Sequence, residues 1–353
     1  MFVYGGGSIK KIGLYDQVKT ILNDNKISFR ELNGVKPNPD IESVREGIKL
    51  CRKHKLNFIF AAGGGSVIDC AKAIAAGFYY DGDPWDFFER KTDITNALPL
   101  GTVLTLSAAG SEMNGNSVIS NSAVKEKRGI GNHLLRPKFT ILDPEYTFSV
   151  GKEQTAAGVV DIMSHLFEQY FSSIKNTDIQ DRFAESLIKV CIKFGPIALK
   201  EPGNYEARAN LMWASSLSLH GLVGYGKMGD WSTHQIEHEI SAVYDITHAV
   251  GLAILTPNWM KYVLNDETAY KFAEYTKNVW GIEGSSELET AKLGIKRTRE
   301  FFNELCMPAA LSEIGIDDRD IETMAAGAVK FGPIGNFRKL NYNNVVEILK
   351  MSL

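Results

Sequence analysis

Several features that would classify a chain of this length at once are missing. No apolar run reaches the roughly 18 residues of a membrane-spanning helix. No long basic run occurs and the formal net charge is -3, which excludes the electrostatic footprint of a nucleic-acid binder. The start, Met1 to Lys11, lacks the basic head and long apolar centre of a secretory signal. The four cysteines, Cys51, Cys70, Cys191 and Cys306, contain no C-x-x-C pair. That excludes a thiol metal knuckle and predicts free, packed thiols in a reduced, cytoplasmic protein. The glycine turns do not spell G-x-G-x-x-G, so the ordinary Rossmann fingerprint is excluded as well. There is no low-complexity segment and no internal repeat. What remains is a 353-residue chain, 44% hydrophobic and 23% charged, an ordinary soluble composition long enough for two domains.

The first part of the chain alternates strand and helix patterns. Phe2-Val3-Tyr4 runs into Gly5-Gly6-Gly7-Ser8 and a helical pattern through Leu14, Val18 and Leu22. Strands are expected at 28–32, 57–62, 98–106, 118–120 and 139–144, with helices at 41–54 and 67–76. Pro37-Asn38-Pro39 reads as an extended loop. The apolar run Asn57 to Ala62 suits a buried parallel strand and delivers a second turn, Gly63-Gly64-Gly65-Ser66, at a helix start. In open α/β sheets ligands bind at the carboxyl ends of strands, and backbone amides of such a turn hold phosphate. The small residues Ser107 to Ser111 let a ligand approach the backbone, and Lys125, Lys127 and Arg128 form a basic stretch between later strands. After Pro144 strand patterns fade and helical ones run to the end, with turns expected at Gly195-Pro196 and Pro202-Gly203. The boundary is placed near Phe148, giving an α/β domain over 1–148 and an all-helical domain over 149–353.

The helical part carries the densest chemistry. His234 and His238 stand four apart, as do Asp161 and His165, so each pair shares one helix face. His248 follows ten residues after His238. Imidazole and carboxylate pairs held rigidly this way suit a divalent metal. His54, His133 and His220 are read as packing or surface residues, and Asp230 as a helix cap or pocket residue. A competing pattern overlaps the block: His234-Gln235-Ile236-Glu237-His238 fits H-x-x-E-H, in which Glu237 would be the general base of a zinc peptidase.

GGGSVIDCAK at Gly63 to Lys72, SEMN at Ser111 to Asn114, DIMSH at Asp161 to His165, and the His234/His238/His248 block occur in that order. Together they resemble the iron-containing, or group III, alcohol dehydrogenases, nearest to the NADPH-dependent butanol dehydrogenase and aldehyde reductase branch. The resemblance implies an α/β dinucleotide-binding domain (dehydroquinate-synthase-like) followed by an all-helical metal domain. It implies that Asp161, His165, His234 and His248 ligate one divalent metal, with Fe(II) favoured and Zn(II) an alternative. His238 then stands beside the substrate and nicotinamide as a proton relay. The resemblance assigns cofactor contacts to Gly64, Gly65, Ser66, Asp69, Thr105, Asn114 and Lys127. It adds Gly5, Gly6, Gly7 and Ser8 as the first turn, and Asn38 in the loop beyond it. An acidic residue at that first turn would repel a 2′-phosphate; small residues and nearby lysines favour NADP(H) over NAD(H). A small alcohol or aldehyde is the implied substrate, and a homodimer the implied assembly.

Two departures from the family pattern stand out. The family carries a further segment before the first glycine turn, whereas Met1 falls inside the first strand, so that segment is expected to be lacking. Its loss would leave a sheet edge unprotected and allows a second reading, a catalytically impaired relative. Ala109 stands where the family often has threonine, which removes one hydroxyl from the cofactor's surroundings.

Overall fold

The computed structural model describes residues 1–353, and the chain forms two compact units, Met1–Val150 and Gly151–Leu353. The first unit contains β1 (Phe2–Gly5), α1 (Ser8–Lys11), α2 (Leu14–Asp24), β2 (Glu31–Val35), α3 (Ile41–His54), β3 (Ile59–Gly63), α4 (Gly65–Gly77), α5 (Trp85–Phe88), β4 (Leu100–Leu104), β5 (Asn116–Asn121), β6 (Glu126–Gly131) and β7 (Phe139–Leu142). Five strands form a parallel sheet in the order β2-β1-β3-β4-β7, and β5 and β6 form a separate antiparallel hairpin. Although only four residues long, β1 is an interior strand: Phe2 pairs with Glu31 on one side and Phe60 on the other. Phe2, Val3, Ile59, Ala61 and Ala62 are fully buried, which explains why these strands read as apolar runs rather than alternations.

Three expectations are corrected. The second strand runs from Glu31 to Val35, not from Ser28 to Leu32. Gly34 takes a positive φ of 78°, and the register slips between Val3 and Gly5, so a bulge carries the strand past a glycine that reads as a breaker. The basic stretch is not a loop: Lys125 sits at the turn with φ 53°, while Lys127 and Arg128 lie on β6 opposite Ser120 and Ile119. Gly195-Pro196, read as a turn, lies inside a helix spanning Asp178–Lys200. There a Cβ on Gly195 would stand 3.1 Å from Val159 Cγ1, so the glycine serves a close helix–helix approach.

The second unit is helical throughout, with α6 (Lys152–Tyr170), α7 (Asp178–Lys200), α8 (Tyr205–Ser218), α9 (Ser232–Tyr244), α10 (His248–Val263), α11 (Ala269–Tyr275), α12 (Glu287–Glu304), α13 (Ile321–Ala328) and α14 (Tyr342–Met351). The central helix is α6, packed against α7, α8 and α10. Every residue from Thr155 to Tyr170 is buried, as expected of a helix surrounded on all sides. Its polar side chains therefore need partners inside the protein. No helix is long and apolar enough to cross a membrane.

Candidate functional site

In the first unit both glycine turns sit at carboxyl ends of neighbouring sheet strands, after β1 and after β3. At the second turn the glycines have separate tasks. A Cβ on Gly63 would lie 2.6 Å from Val67 Cγ2, so the missing side chain lets α4 settle against its own strand. Gly64 is the N-cap of α4, with no side-chain cap and no acidic residue in the first turn. First-turn amides and the helix dipole are thus presented to an anion. A Cβ on Gly65 would stand 3.7 Å from Ala109 Cβ, which places the small-residue loop beside this turn. Thr105 lies against the same turn, its N–H donating to Gly63 O at 3.0 Å. At the first turn a Cβ on Gly6 or Gly7 would meet nothing within 4 Å, and Ser8 and Lys11 are exposed. Asn38 adopts φ 49° in the loop after β2. Beyond it, Asp40 caps α3 through Glu42 N at 2.9 Å and accepts from Ser122 N and Oγ at 3.1 and 2.5 Å. The second turn fits a pyrophosphate by its backbone donors, and the first offers open space to the rest of a dinucleotide.

Two of the expected cofactor contacts face the protein instead. Asp69 accepts from Ser111 Oγ at 2.5 Å and Val118 N at 2.9 Å. Burial raises its carboxyl above the usual range, while Lys72 and Lys127 pull it down. Asn114 accepts from Lys72 Nζ at 3.0 Å and donates to Gly110 O at 2.9 Å. Sequence reasoning passed over Lys72. This fully buried ammonium donates to Ser111 O, Ser111 Oγ, Asn114 Oδ1 and Asn116 O within 3.0 Å. Asp69, Lys72 and Asn114 thus form the footing beneath the turn. Its sequence signal was the lysine three residues after Asp69, one helical turn along α4.

In the second unit, Asp161, His165 and Glu168 recur at i, i+4 and i+7 on α6, a single buried stripe. On α9, His234, Glu237, His238 and Ser241 recur at i, i+3, i+4 and i+7. A short connection with Asp245 at φ 50° turns the chain so that His248 opens α10. At Gly251 a Cβ would fall 2.7 Å from Glu237 Cγ, so the glycine admits α10 close to α9. The result brings ligand atoms of Asp161, His234 and His248 within 4.8 Å of one another. His165 stands alongside, its ring 4.5 Å from that of His234 and its Nδ1 3.3 Å from Asp161 Oδ1.

The imidazoles are oriented alike. His165 Nδ1 meets Asp161 O at 2.8 Å, His234 Nδ1 meets Glu168 Oε1 at 3.0 Å, and His248 Nδ1 meets Glu237 Oε2. With Nδ1 donating in each ring, Nε2 presents its lone pair, the arrangement in which histidine ligates metals. Burial lowers the pKa of His165 to about 4, which keeps it neutral, the form that binds a metal. One carboxylate and three imidazoles on rigid helices fit a divalent ion such as Fe(II) or Zn(II). Trp231, in the left-handed region at φ 64°, places its ring 5.5 Å from His234 and 6.3 Å from His165.

His238 is half-buried with its ring 5.6 Å from His248. A second set of ligand atoms within 4.8 Å comprises Glu237, His238 and His248. Neither set contains His234 and His238 together, which is what the H-x-x-E-H reading needs. Glu237, its general base in that reading, instead accepts from Ser241 Oγ and His248 Nδ1. The peptidase reading has no support in this geometry. Asp230 is buried and accepts from Ser232 N, Asn336 N and Phe337 N at 3.1, 2.9 and 2.8 Å, tying the start of α9 to a distant segment. It is a structural tie rather than a pocket residue.

Comparison with known proteins agrees with both halves of this description. Residues 1–144 match the family "Iron-containing alcohol dehydrogenase", and residues 155–353 match "Fe-containing alcohol dehydrogenase family, C-terminal". The chain is 54% identical to NADH-dependent butanol dehydrogenase A of Clostridium acetobutylicum, over 100% of this chain and 91% of the relative. It is 41% identical to the NADPH-dependent aldehyde reductase YqhD of Escherichia coli, over 92% of this chain and 84% of the relative. The crystal structure of NADH-dependent butanol dehydrogenase A from Thermotoga maritima superposes with a TM-score of 0.96 at 41% identity, covering 99% of this chain and 90% of that one.

Proposed function

The chain belongs to the iron-containing alcohol dehydrogenase family, and from that premise we propose that it interconverts short primary alcohols and aldehydes of the butanol/butanal kind, using NADP(H) and a metal held by Asp161, His165, His234 and His248. Membership makes it an alcohol dehydrogenase or aldehyde reductase working with iron and a nicotinamide cofactor. The observation that carries the ligand assignment is the convergence of Asp161, His234 and His248 within 4.8 Å, with each imidazole's Nδ1 already engaged.

An ion held there supplies Lewis acidity to the substrate oxygen. The chain's own residues do the rest. His238, next to His248 yet outside its ligand set with Asp161, relays a proton between the substrate and solvent through its imidazole. Trp231 presents its indole to His165 and His234 and limits water on that side. The glycine turn before α4 takes the cofactor's pyrophosphate, with Gly64, Gly65 and Ser66 donating backbone N–H groups. The choice of NADP(H) rests on the first turn. Gly5-Gly6-Gly7-Ser8 carries no carboxylate there, Asp40 is occupied as a cap, Lys11 is exposed three residues on, and Lys36 is exposed next to Val35, the strand partner of Gly5. Homodimerisation belongs to the same reading and is checked by light scattering.

The test is butanal reduction by purified protein reconstituted anaerobically with Fe(II) or Zn(II), with NADPH and NADH run in parallel. Metal-dependent turnover, faster with NADPH, is expected. Equal turnover by the metal-free protein would sink the proposal. Bound metal without turnover would favour a catalytically impaired relative.

A further inference from the structure

The two buried carboxylates behind the imidazoles are absent from the ligand assignment, and their contacts are specific. Glu168 on α6 collects four donors: Trp231 N at 2.6 Å, His234 N at 3.0 Å, His234 Nδ1 at 3.0 Å and Thr233 Oγ1. Three of these come from the entry to α9, so one side chain fixes both the backbone that begins the helix and the ring that projects from it. Glu237 on α9 holds the ring at the start of α10. It is fully buried, its Oε1 accepts from Ser241 Oγ, and its Oε2 accepts from His248 Nδ1. Gly251 leaves the space in which the Glu237 side chain lies.

We propose that Glu168 and Glu237 are positioning residues for the metal. Each clamps one imidazole in its Nδ1–H tautomer, and their charge makes His234 and His248 better donors at Nε2. The inference rests on the reading that His234 and His248 are ligands. Three physical points support it. A neutral imidazole has two tautomers, and an acidic acceptor at Nδ1 selects the one whose Nε2 is free of its proton. A carboxylate in a dry surround strengthens that Nδ1–H bond and raises the basicity of the opposite nitrogen. Finally, each carboxylate has a further hydroxyl partner, Thr233 of α9 for Glu168 and Ser241 of its own helix for Glu237, so its orientation is fixed as well. The clamps differ in reach. Glu168 joins α6 to α9 and also serves as the acceptor for an otherwise uncapped helix start, since no side-chain cap is supplied by Trp231 itself. Glu237 joins α9 to α10 through one ring.

The test uses Co(II) as the probe ion, because its visible absorption reports ligand geometry independently of turnover. Full-length wild type, E168Q, E237Q and S241A are titrated against a chelator, and the metal-free forms are melted to compare folding. Glutamine keeps the size and one acceptor but removes the charge, so E168Q and E237Q should each weaken Co(II) binding by about 10–100-fold, the usual effect of removing an outer-shell carboxylate. Their absorption bands should shift as well. S241A, which only loosens Glu237, should fall between wild type and E237Q. E168Q should also melt lower without metal, because it loses an acceptor at the start of α9; E237Q should not, and so remains interpretable if E168Q fails to fold. Wild-type Co(II) binding with E237Q matching it in affinity (within about twofold) and spectrum overturns the clamp. A wild type that takes up no Co(II), or loses it in H238A rather than H234A, overturns the ligand reading itself.

Discussion

The ammonium of Lys72 lies 3.0 Å from Asn114 Oδ1, and both groups are buried beneath the glycine turn that ends β3. Ser111 links the same ammonium to Asp69, donating from Oγ to the carboxylate at 2.5 Å. Replacing Lys72 with methionine keeps most of the volume but strands Asp69 and four oxygen acceptors without their cation. Breaking one side of a buried charged network costs about 3–5 kcal/mol. K72M should therefore lower the urea midpoint strongly and weaken dinucleotide binding, while leaving metal uptake by the helical unit intact. A midpoint equal to wild type would show that the ammonium is not part of the footing.

The glycine at the same turn makes a sharper steric claim. At Gly63 a Cβ would fall 2.6 Å from Val67 Cγ2 and 2.8 Å from Val67 Cβ, distances that force backbone or side chain to move. Overpacking of this kind costs about 1–3 kcal/mol. G63A should be destabilised by that amount, and adding V67A should recover part of it, because the second change removes the Cγ atoms of the clash and leaves only the approach to Cβ. Chemical denaturation of the two variants and the double variant reads the coupling directly. Additive losses would mean that the clash is relieved elsewhere.

What the sequence disclosed follows a physical line. Strand–turn–helix order was legible because β1 and β3 are buried on both faces and read as apolar runs that end in glycine. The metal block was legible because two helices present their donors at four-residue spacing. The parts that stayed hidden depend on contacts between distant segments. Gly195-Pro196 read as a turn, yet Gly195 is there to admit Val159 of α6. The second strand was expected to end at Leu32, yet it runs on to Val35 through a bulge at Gly34. Glu168 was missed although it continues the Asp161/His165 stripe, since a glutamate on a helix is ordinarily solvated and only its complete burial marks it. Asp69 and Asn114 were placed by motif in the right neighbourhood, but which way a side chain faces is set by partners such as Lys72.

A buried ion cluster on α7 should govern acid stability. Asp181 on α7 accepts from Lys271 Nζ at 2.6 Å and from Lys227 Nζ, and all three side chains are buried. Burial alone would raise the Asp181 carboxyl, but the two lysines outweigh it and hold it below its ordinary value of 3.8. A carboxylate depressed in the fold contributes stability that is complete above the unfolded value and is lost as pH falls through the folded one. Thermal stability of the wild type should therefore drop below about pH 4. D181N should be destabilised at neutral pH and lose the part of that acid slope that Asp181 supplies. Identical slopes in the two proteins would remove Asp181 from the account.

The choice between cofactors comes down to one open position. At Gly6 a Cβ would meet nothing within 4 Å, and its φ lies outside the left-handed region, so a side chain fits there without strain. An aspartate placed at this turn would offer a carboxylate to a ribose 2′-OH and repel a 2′-phosphate. If the first turn receives the adenosine ribose, G6D should lower kcat/KM for NADPH relative to NADH by at least about tenfold, a change worth 1.4 kcal/mol. The melting temperature should stay close to that of the wild type. Steady-state kinetics with both cofactors on one aldehyde decide it. If the ratio does not move in a variant that is folded and binds metal, the adenosine ribose does not sit at Gly6 and the argument for NADP(H) from Gly5 to Ser8 falls. If the ratio inverts, a single unfilled Cβ position sets the cofactor of this enzyme.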